Sequence, residues 1–193
     1  HISFELSPVS NAVSNAIRRT VSCELLVKRM YAEFESLKTD DVFIIPEMVL
    51  RRLRMIPIDQ SCPQDAKFKL DVVNNTSQGR DVKSSEISIV GGKLRDLPFN
   101  GTFTLFRLNP GKSLEIADLS INSAYGYNPG DGMHALAVNA ASVALDQKPI
   151  NMYEPDDNGI PSSISNPRKY KISFTTNGDM SPKAIVVAAC DNL

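Results

Sequence analysis

Pro46-Glu47-Met48-Val49-Leu50-Arg51-Arg52-Leu53-Arg54-Met55-Ile56-Pro57-Ile58 is the stretch from which the rest of the chain is read. Proline has no backbone N–H to donate, and the first position of a helix needs none, so Pro46 predicts a helix start. Val49, Leu50, Leu53 and Ile56 recur at helical spacing and predict one buried face, with Arg51, Arg52 and Arg54 turned elsewhere. Pro57 disfavours helical backbone in the residue before it and closes the element, so the helix is expected over 46–55. Guanidinium groups set off an apolar face in this way meet carboxylates or phosphates. For an isolated Arg cluster, a solvated surface helix is the plainer reading.

A second segment lifts the pattern above that reading. Ser10-Asn11-Ala12-Val13-Ser14-Asn15-Ala16-Ile17-Arg18-Arg19-Thr20-Val21 opens with residues that cap helix N-termini. Val13, Ala16, Ile17, Thr20 and Val21 form one stripe, and Asn15, Arg18 and Arg19 lie off it; the helix is expected over 10–26. Ile2, Phe4 and Leu6 alternate with polar neighbours before it, as in a half-buried strand. A further strand is expected over 29–36.

Beyond Ile58 the pattern turns to period two. Phe68 to Val72 alternates cleanly, and 86–90, 102–108 and 113–123 read as strands. Asn109-Pro110-Gly111-Lys112 puts Pro and Gly at the centre of a tight turn. Residues 134–145, rich in Ala and Val, are read as strand rather than helix. Residues 148–168 carry Pro149, Pro155, Pro161 and Pro167 and predict an irregular excursion. Tyr170, Ile172 and Phe174 alternate as a strand. Ser181-Pro182 then launches a last helix with Ile185, Val186, Ala189 and Leu193 on one side.

Composition bounds the function. The chain has 193 residues, 42% of them hydrophobic, and a formal net charge of −1. That balance gives no general pull toward nucleic acid. The basic residues Arg18, Arg19, Lys28, Arg29, Arg51, Arg52 and Arg54 crowd the first third, which favours one acidic partner surface over duplex binding. No apolar run approaches the ~20 residues of a membrane helix. Cys23, Cys62 and Cys190 are too scattered for a disulfide framework or a zinc site and imply a reducing compartment. The glycosylation patterns at Asn74, Asn75 and Asn100 have no secretory segment to support them. Asp40-Asp41 and Asp156-Asp157 stand in turn-like contexts and are expected to be solvated. The chain begins at His1 inside a predicted strand, so further residues are expected before it.

No catalytic constellation emerges. His134, the only internal histidine, lies in a Gly-rich loop with no Ser or Cys partner signature. Gly126-Tyr127-Asn128-Pro129-Gly130-Asp131-Gly132 lacks the Gly-Lys-Ser/Thr ending of a phosphate cradle. There is no Trp, and the aromatics fall at strand-core spacing, so no base-stacking platform is expected.

Together, the first helix and the basic helix resemble the alpha-like subunit of cellular RNA polymerases, the group that includes bacterial alpha, archaeal D and the third-largest eukaryotic subunit. That group carries Asn-x-Leu-Arg-Arg and, further on, Asp-Glu-x-x-x-His-Arg-Leu-Gly-x-Ile-Pro-Leu. Asn15, Arg18 and Arg19 match the first pattern; Glu47, Arg52, Leu53, Ile56, Pro57 and Ile58 match the second. Arg51 stands where the group has His and Arg54 where it has Gly, so the chain is similar to a diverged member. Val82 to Ile87, Leu105 to Leu114, Gly126 to Ala135 and Phe174 to Pro182 resemble later stretches of the group in the same order. The stretches 103–116 and 46–58 look most like the homologous subunits of large nucleocytoplasmic DNA viruses, some of which fuse this subunit to its smaller partner.

The resemblance implies an α+β fold. A discontinuous alpha-like dimerisation domain, 1–38 plus 169–193, would carry an inserted β-rich domain, 39–168. It also implies a non-catalytic assembly subunit of a multisubunit DNA-directed RNA polymerase, without cofactor or metal of its own. The cysteine-rich metal loop of many cellular relatives has no counterpart in 148–168. The implied partners are a small subunit of the type of the eleventh eukaryotic subunit or archaeal L, or a fused domain, and the second-largest and largest subunits. No membrane or sequence-specific nucleic-acid contact is expected. The implied partner-binding residues are Val13, Asn15, Ile17, Arg18, Arg19, Glu47, Arg51, Arg52, Ile185, Val186 and Ala189, with Arg52 also open to an anchoring role within the insert. The apolar stripes of the first and last helices are expected to stay exposed until a partner covers them. The location would be intracellular: the nucleus or, for a viral protein, the virion and infected-cell cytoplasm. The rival reading is an independent β-rich interaction or virion protein that binds nucleic acid through its Arg helices.

Overall fold

The computed structural model describes residues 2–91, 94–128, 132–133, 138–145, 168–176 and 180–193. In chain order the first elements are β1 (Ile2–Val9), α1 (Asn11–Arg19), β2 (Leu26–Tyr31), β3 (Leu37–Thr39), α2 (Pro46–Arg54), β4 (Lys67–Val73), β5 (Arg80–Lys83) and β6 (Ser88–Gly91). They are followed by β7 (Thr104–Leu108), β8 (Ser113–Tyr125), β9 (Tyr127–Asn128), β10 (Gly132–Met133), β11 (Val138–Leu145), β12 (Arg168–Thr176) and α3 (Pro182–Asp191). The mixture of helices and antiparallel sheets makes this an α+β protein. The chain forms two compact units, His1–Leu25 with Ala137–Leu193, and Leu26–Leu136.

In the first unit β12 is the centre of an antiparallel sheet ordered β1-β12-β11. Ile2, Phe4 and Leu6 face Phe174, Ile172 and Tyr170 across the ladder, so alternation along both strands puts apolar side chains on one face. Phe4 meets Phe174 edge to face, with ring centroids 6.2 Å apart. The β1–β12 register shifts between Leu6 and Val9, where Pro8 has no N–H to give the ladder. The Ser10 hydroxyl caps α1 by accepting from the Val13 N–H at 3.3 Å. The helix then loosens into a π-helical turn, Thr20–Glu24, rather than running on regularly to 26. Ser181 caps α3 in the same way through the Ala184 N–H, with Pro182 in the first turn. α1 lies on the sheet, and α3 packs against the π-helical turn.

The second unit is organised by the long strand β8. Its first half pairs with β3 (Leu37↔Ile116) and its second half with β2 (Met30↔Ile121), while β4 runs along its other edge and pairs onward with β6. β4 buries Phe68, Leu70 and Val72 and exposes the residues between them, the period-two pattern of its sequence. β5 and β7 form a separate ladder. α2 packs on β2 and β7, and its Val49 and Leu53 enter a core with Met30, Phe68, Leu105 and Ile116.

The turn joining β7 to β8 closes as its residues predict. The Lys112 N–H donates to the Asn109 carbonyl, and Gly111 takes φ +68°. A Cβ at Gly111 would meet nothing within 4 Å, so any cost of a side chain there is purely backbone strain. Gly111→Ala should therefore lower the unfolding free energy by about 1 kcal/mol, read as a lower denaturant midpoint at unchanged slope. An unshifted midpoint would mean the turn relaxes without cost.

Candidate partner-docking surfaces

The basic helix keeps its expected apolar face: Val49, Leu50 and Leu53 are buried, as is Ile56 just beyond it. Its polar face is more occupied than the sequence implies. Arg52 Nη1 donates to the Leu105 carbonyl at 2.8 Å, fastening the helix to β7. The Arg54 guanidinium lies over the Tyr31 ring, 5.5 Å from its centroid. Arg52, expected to face a partner, thus also makes the anchoring contact that the sequence left open, with its side chain still exposed, and Arg54 makes its ring contact within the same unit. Glu47, in the first turn where a carboxylate favours the helix dipole, and Arg51 remain exposed.

On α1, Asn15 and Arg19 are exposed and Arg18 is half-buried. Arg18 Nε donates to Asn15 Oδ1 at 3.1 Å, which orients the guanidinium along the helix surface. Arg19 pairs loosely with Glu24 at 3.4 Å, and both side chains stay largely in solvent. Such a pair contributes about 0.5 kcal/mol and is readily exchanged for a better partner.

The apolar positions need correction. Ile17, Ile185 and Ala189 are not exposed stripes: all three are buried within the first unit. The sheet, the π-helical turn and the two helices form a sufficient small core, with Tyr170, Ile172 and Phe174 contributing. The buried phase of α1 runs through Ser14 and Ile17 to Thr20 and Val21, so Val13 is left 43% exposed. Ser14 can be buried because its hydroxyl donates to the Asn11 carbonyl at 3.0 Å. On α3, Val186 is half-buried and Val187 is 50% exposed. The apolar side chains that these two helices leave partly or largely exposed include Val13, Val186 and Val187.

Asp41 is the residue sequence reasoning placed wrongly. It is buried, not solvated, and its carboxylate accepts from the Asn109 N–H at 3.0 Å, Asn109 Nδ2 at 3.1 Å and the Phe43 N–H at 3.1 Å. Burial pushes its pKa up, but the hydrogen bonds from Asn109 and Phe43 outweigh it and hold the carboxyl below its ordinary value. Asp40 is solvent-exposed as expected; it is lowered too, first by the Ser113 N–H. A carboxyl with a depressed folded pKa contributes stability above its unfolded pKa of about 3.9 and loses it as pH falls through the folded value. Acid unfolding should therefore steepen below about pH 4, and Asp41→Asn should blunt that dependence. Asp41→Ala should cost about 2 kcal/mol at neutral pH; a chemical denaturation series across pH checks both. The signal was legible in part: an Asp before an exposed turn can accept from the N–H two residues on, but its contact with Asn109 is long-range.

Cys62 is buried and burial pushes its thiol up, the opposite of an activated nucleophile. Among the described residues no three His, Cys, Asp or Glu side chains gather as a metal site requires, and no helix is long and apolar enough to cross a membrane. His134 and most of the excursion 148–168 lie outside the described residues, as do Asn177, Gly178 and Asp179.

Part of the chain is similar to known viral proteins. It is 30% identical over 115 residues to a protein named "DNA-directed RNA polymerase RPB3-11 homolog" from a Kenyan pig isolate of African swine fever virus. The same-named proteins of a Namibian warthog isolate and of the Vero-adapted Badajoz strain are 29% identical over 115 residues. These relatives support a divergent viral alpha-like RNA polymerase subunit. In each case the match covers 59% of this chain and 32% of the relative, so the chain spans about a third of the length of the curated relatives it matches. No protein-family profile matches it.

Proposed function

We propose that this chain is a non-catalytic assembly subunit of a viral multisubunit DNA-directed RNA polymerase. The observation that carries the reading is the similarity to proteins named as viral RNA polymerase subunit homologs; the order of motifs in the sequence supports it independently. The first unit serves as the alpha-like dimerisation domain and pairs with a small subunit or fused domain through Val13, Val186 and Val187. Asn15, Arg18 and Arg19, with Glu47 and Arg51, dock the second-largest subunit and, through it, the largest. Arg–carboxylate pairs are the natural contacts, because the planar fork of a guanidinium matches two carboxylate oxygens.

Catalysis belongs to the large subunits, since nucleotide addition needs carboxylates that hold Mg²⁺. In this reading the chain needs no metal or cofactor of its own. It works in the virion and infected-cell cytoplasm; the relatives reported above are viral and lend no support to the nucleus.

Charge loss should separate the two kinds of arginine. Arg51→Ala should weaken recovery of the large subunits while leaving the melting temperature unchanged. Arg52→Ala should lower stability by about 1–2 kcal/mol, because the buried Leu105 carbonyl loses a charged donor. Pull-down and thermal denaturation of both variants check this; equal losses of stability would remove Arg51 from the docking surface.

A further inference from the structure

Three strongly exposed apolar residues of the second unit lie close together in the chain, just ahead of α2. Val42 is 86% exposed, Phe43 81% and Ile45 60%. Phe43 and Ile45 edge a groove of about 290 Å³ whose walls include Met48, Arg52, Phe106 and Arg107, and Val42 precedes them in the chain. A loop free to collapse would fold such side chains inward. This loop is held: the Asp41 carboxylate grips the Phe43 N–H and, through Asn109, the end of β7, while the Ile44 N–H donates to the Asp41 carbonyl at 3.1 Å. Pro46 then fixes the start of α2. The apolar ledge is therefore presented in one conformation, which removes much of the ordering cost of binding. A held, contiguous apolar patch beside a groove marks a docking surface.

Charge says what the occupant is. Both charged residues in the lining are arginines. Arg52 is fastened to the Leu105 carbonyl, and Arg107 to the Gly79 carbonyl at 3.1 Å, with Asp81 only distantly opposed at 3.8 Å. A guanidinium has five N–H donors, more than these contacts use, and both are fixed in position to receive a carboxylate.

We infer that the ledge and groove dock an acidic–apolar segment of another polymerase subunit, which seats an apolar side chain between Phe43 and Met48 and sets an Asp or Glu beside Arg52 and Arg107. The inference rests on the proposed function and adds to it a second surface, distinct from α1 and reaching from the 42–45 segment onto Met48 and Arg52 of α2. A photo-crosslinking amino acid at position 43 of the full chain, in the assembled polymerase, tests it alongside a Val42→Ser/Phe43→Ser variant; both side chains point into solvent, so neither change disturbs the core. The expected crosslink runs to a different subunit, in a peptide with an apolar residue next to Asp or Glu, and the double variant recovers that subunit on the order of tenfold less well. Crosslinking to a second copy of this chain or to nucleic acid overturns the inference. So does labelling no stronger than at exposed Asp71 together with unchanged recovery. A chain that enters no polymerase overturns the proposed function as well; one that enters with position 43 silent overturns this inference alone.

Discussion

Ile185→Asp should unfold the first unit. Ile185 is completely buried where α3 meets the π-helical turn, one helical turn before Ala189, which is buried too. The change removes a side chain whose loss alone costs about 3 kcal/mol, and it forces a carboxylate into a fully buried apolar position. Desolvating the charge, or protonating it to avoid that penalty, brings the total to about 5 kcal/mol or more. A unit with so small a core cannot absorb that. Hydrogen exchange should show loss of protection across β1, β12 and α3, whereas Ile185→Val should cost about 1 kcal/mol and keep the protection. Retained protection in the Asp variant would mean that α3 is not seated as described. Val187→Asp is the contrast: its side chain is half exposed, so the fold should survive and only pairing with a small partner should fail.

Charge reversal at Arg18 and Arg19 should leave that small-partner pairing intact and abolish recruitment of the large subunits. Neither guanidinium is committed to the core: Arg18 is oriented by Asn15, and Arg19 shares a solvent-exposed pair with Glu24. Reversal at a docked site loses the attraction and adds repulsion against the acidic surface it met, at about 3 kcal/mol or more for the pair, which is about a hundredfold or more in affinity. Lysine at both positions should recover only part of it, because an ammonium cannot make the bidentate contact. Competitive pull-down with the small partner as an internal standard reads both effects. Undiminished recovery of the large subunits would remove these arginines from the interface.

Helix α2 was legible because its prolines and apolar spacing are local signals, and the strands β4 and β12 because alternation is. What the sequence left hidden was long-range. The spacing of Val13, Ala16 and Ile17 permits a stripe that includes Val13, but the sheet beneath selects Ser14 instead. Apolar residues on α3 read equally well as a surface for a partner and as the floor of their own unit. Only the packing against the π-helical turn assigns Ile185 and Ala189 to the floor. Likewise Arg52 and Arg54 sit off the apolar face of α2, as expected, yet a carbonyl and an aromatic ring from other elements claim them. Asp41 is the sharpest case: its neighbours in sequence suggest a solvated turn, and its principal partner, Asn109, lies on the far side of the second unit's sequence.

Affinity purification of the tagged full-length protein from infected cells, followed by mass measurement of the intact assembly, tests the central claim most directly. An assembly subunit should come out in a single complex with a small partner and both large catalytic subunits, one copy of each, and should polymerise no nucleotides once separated from them. A protein recovered alone, or bound to nucleic acid without the large subunits, or active by itself, would contradict it.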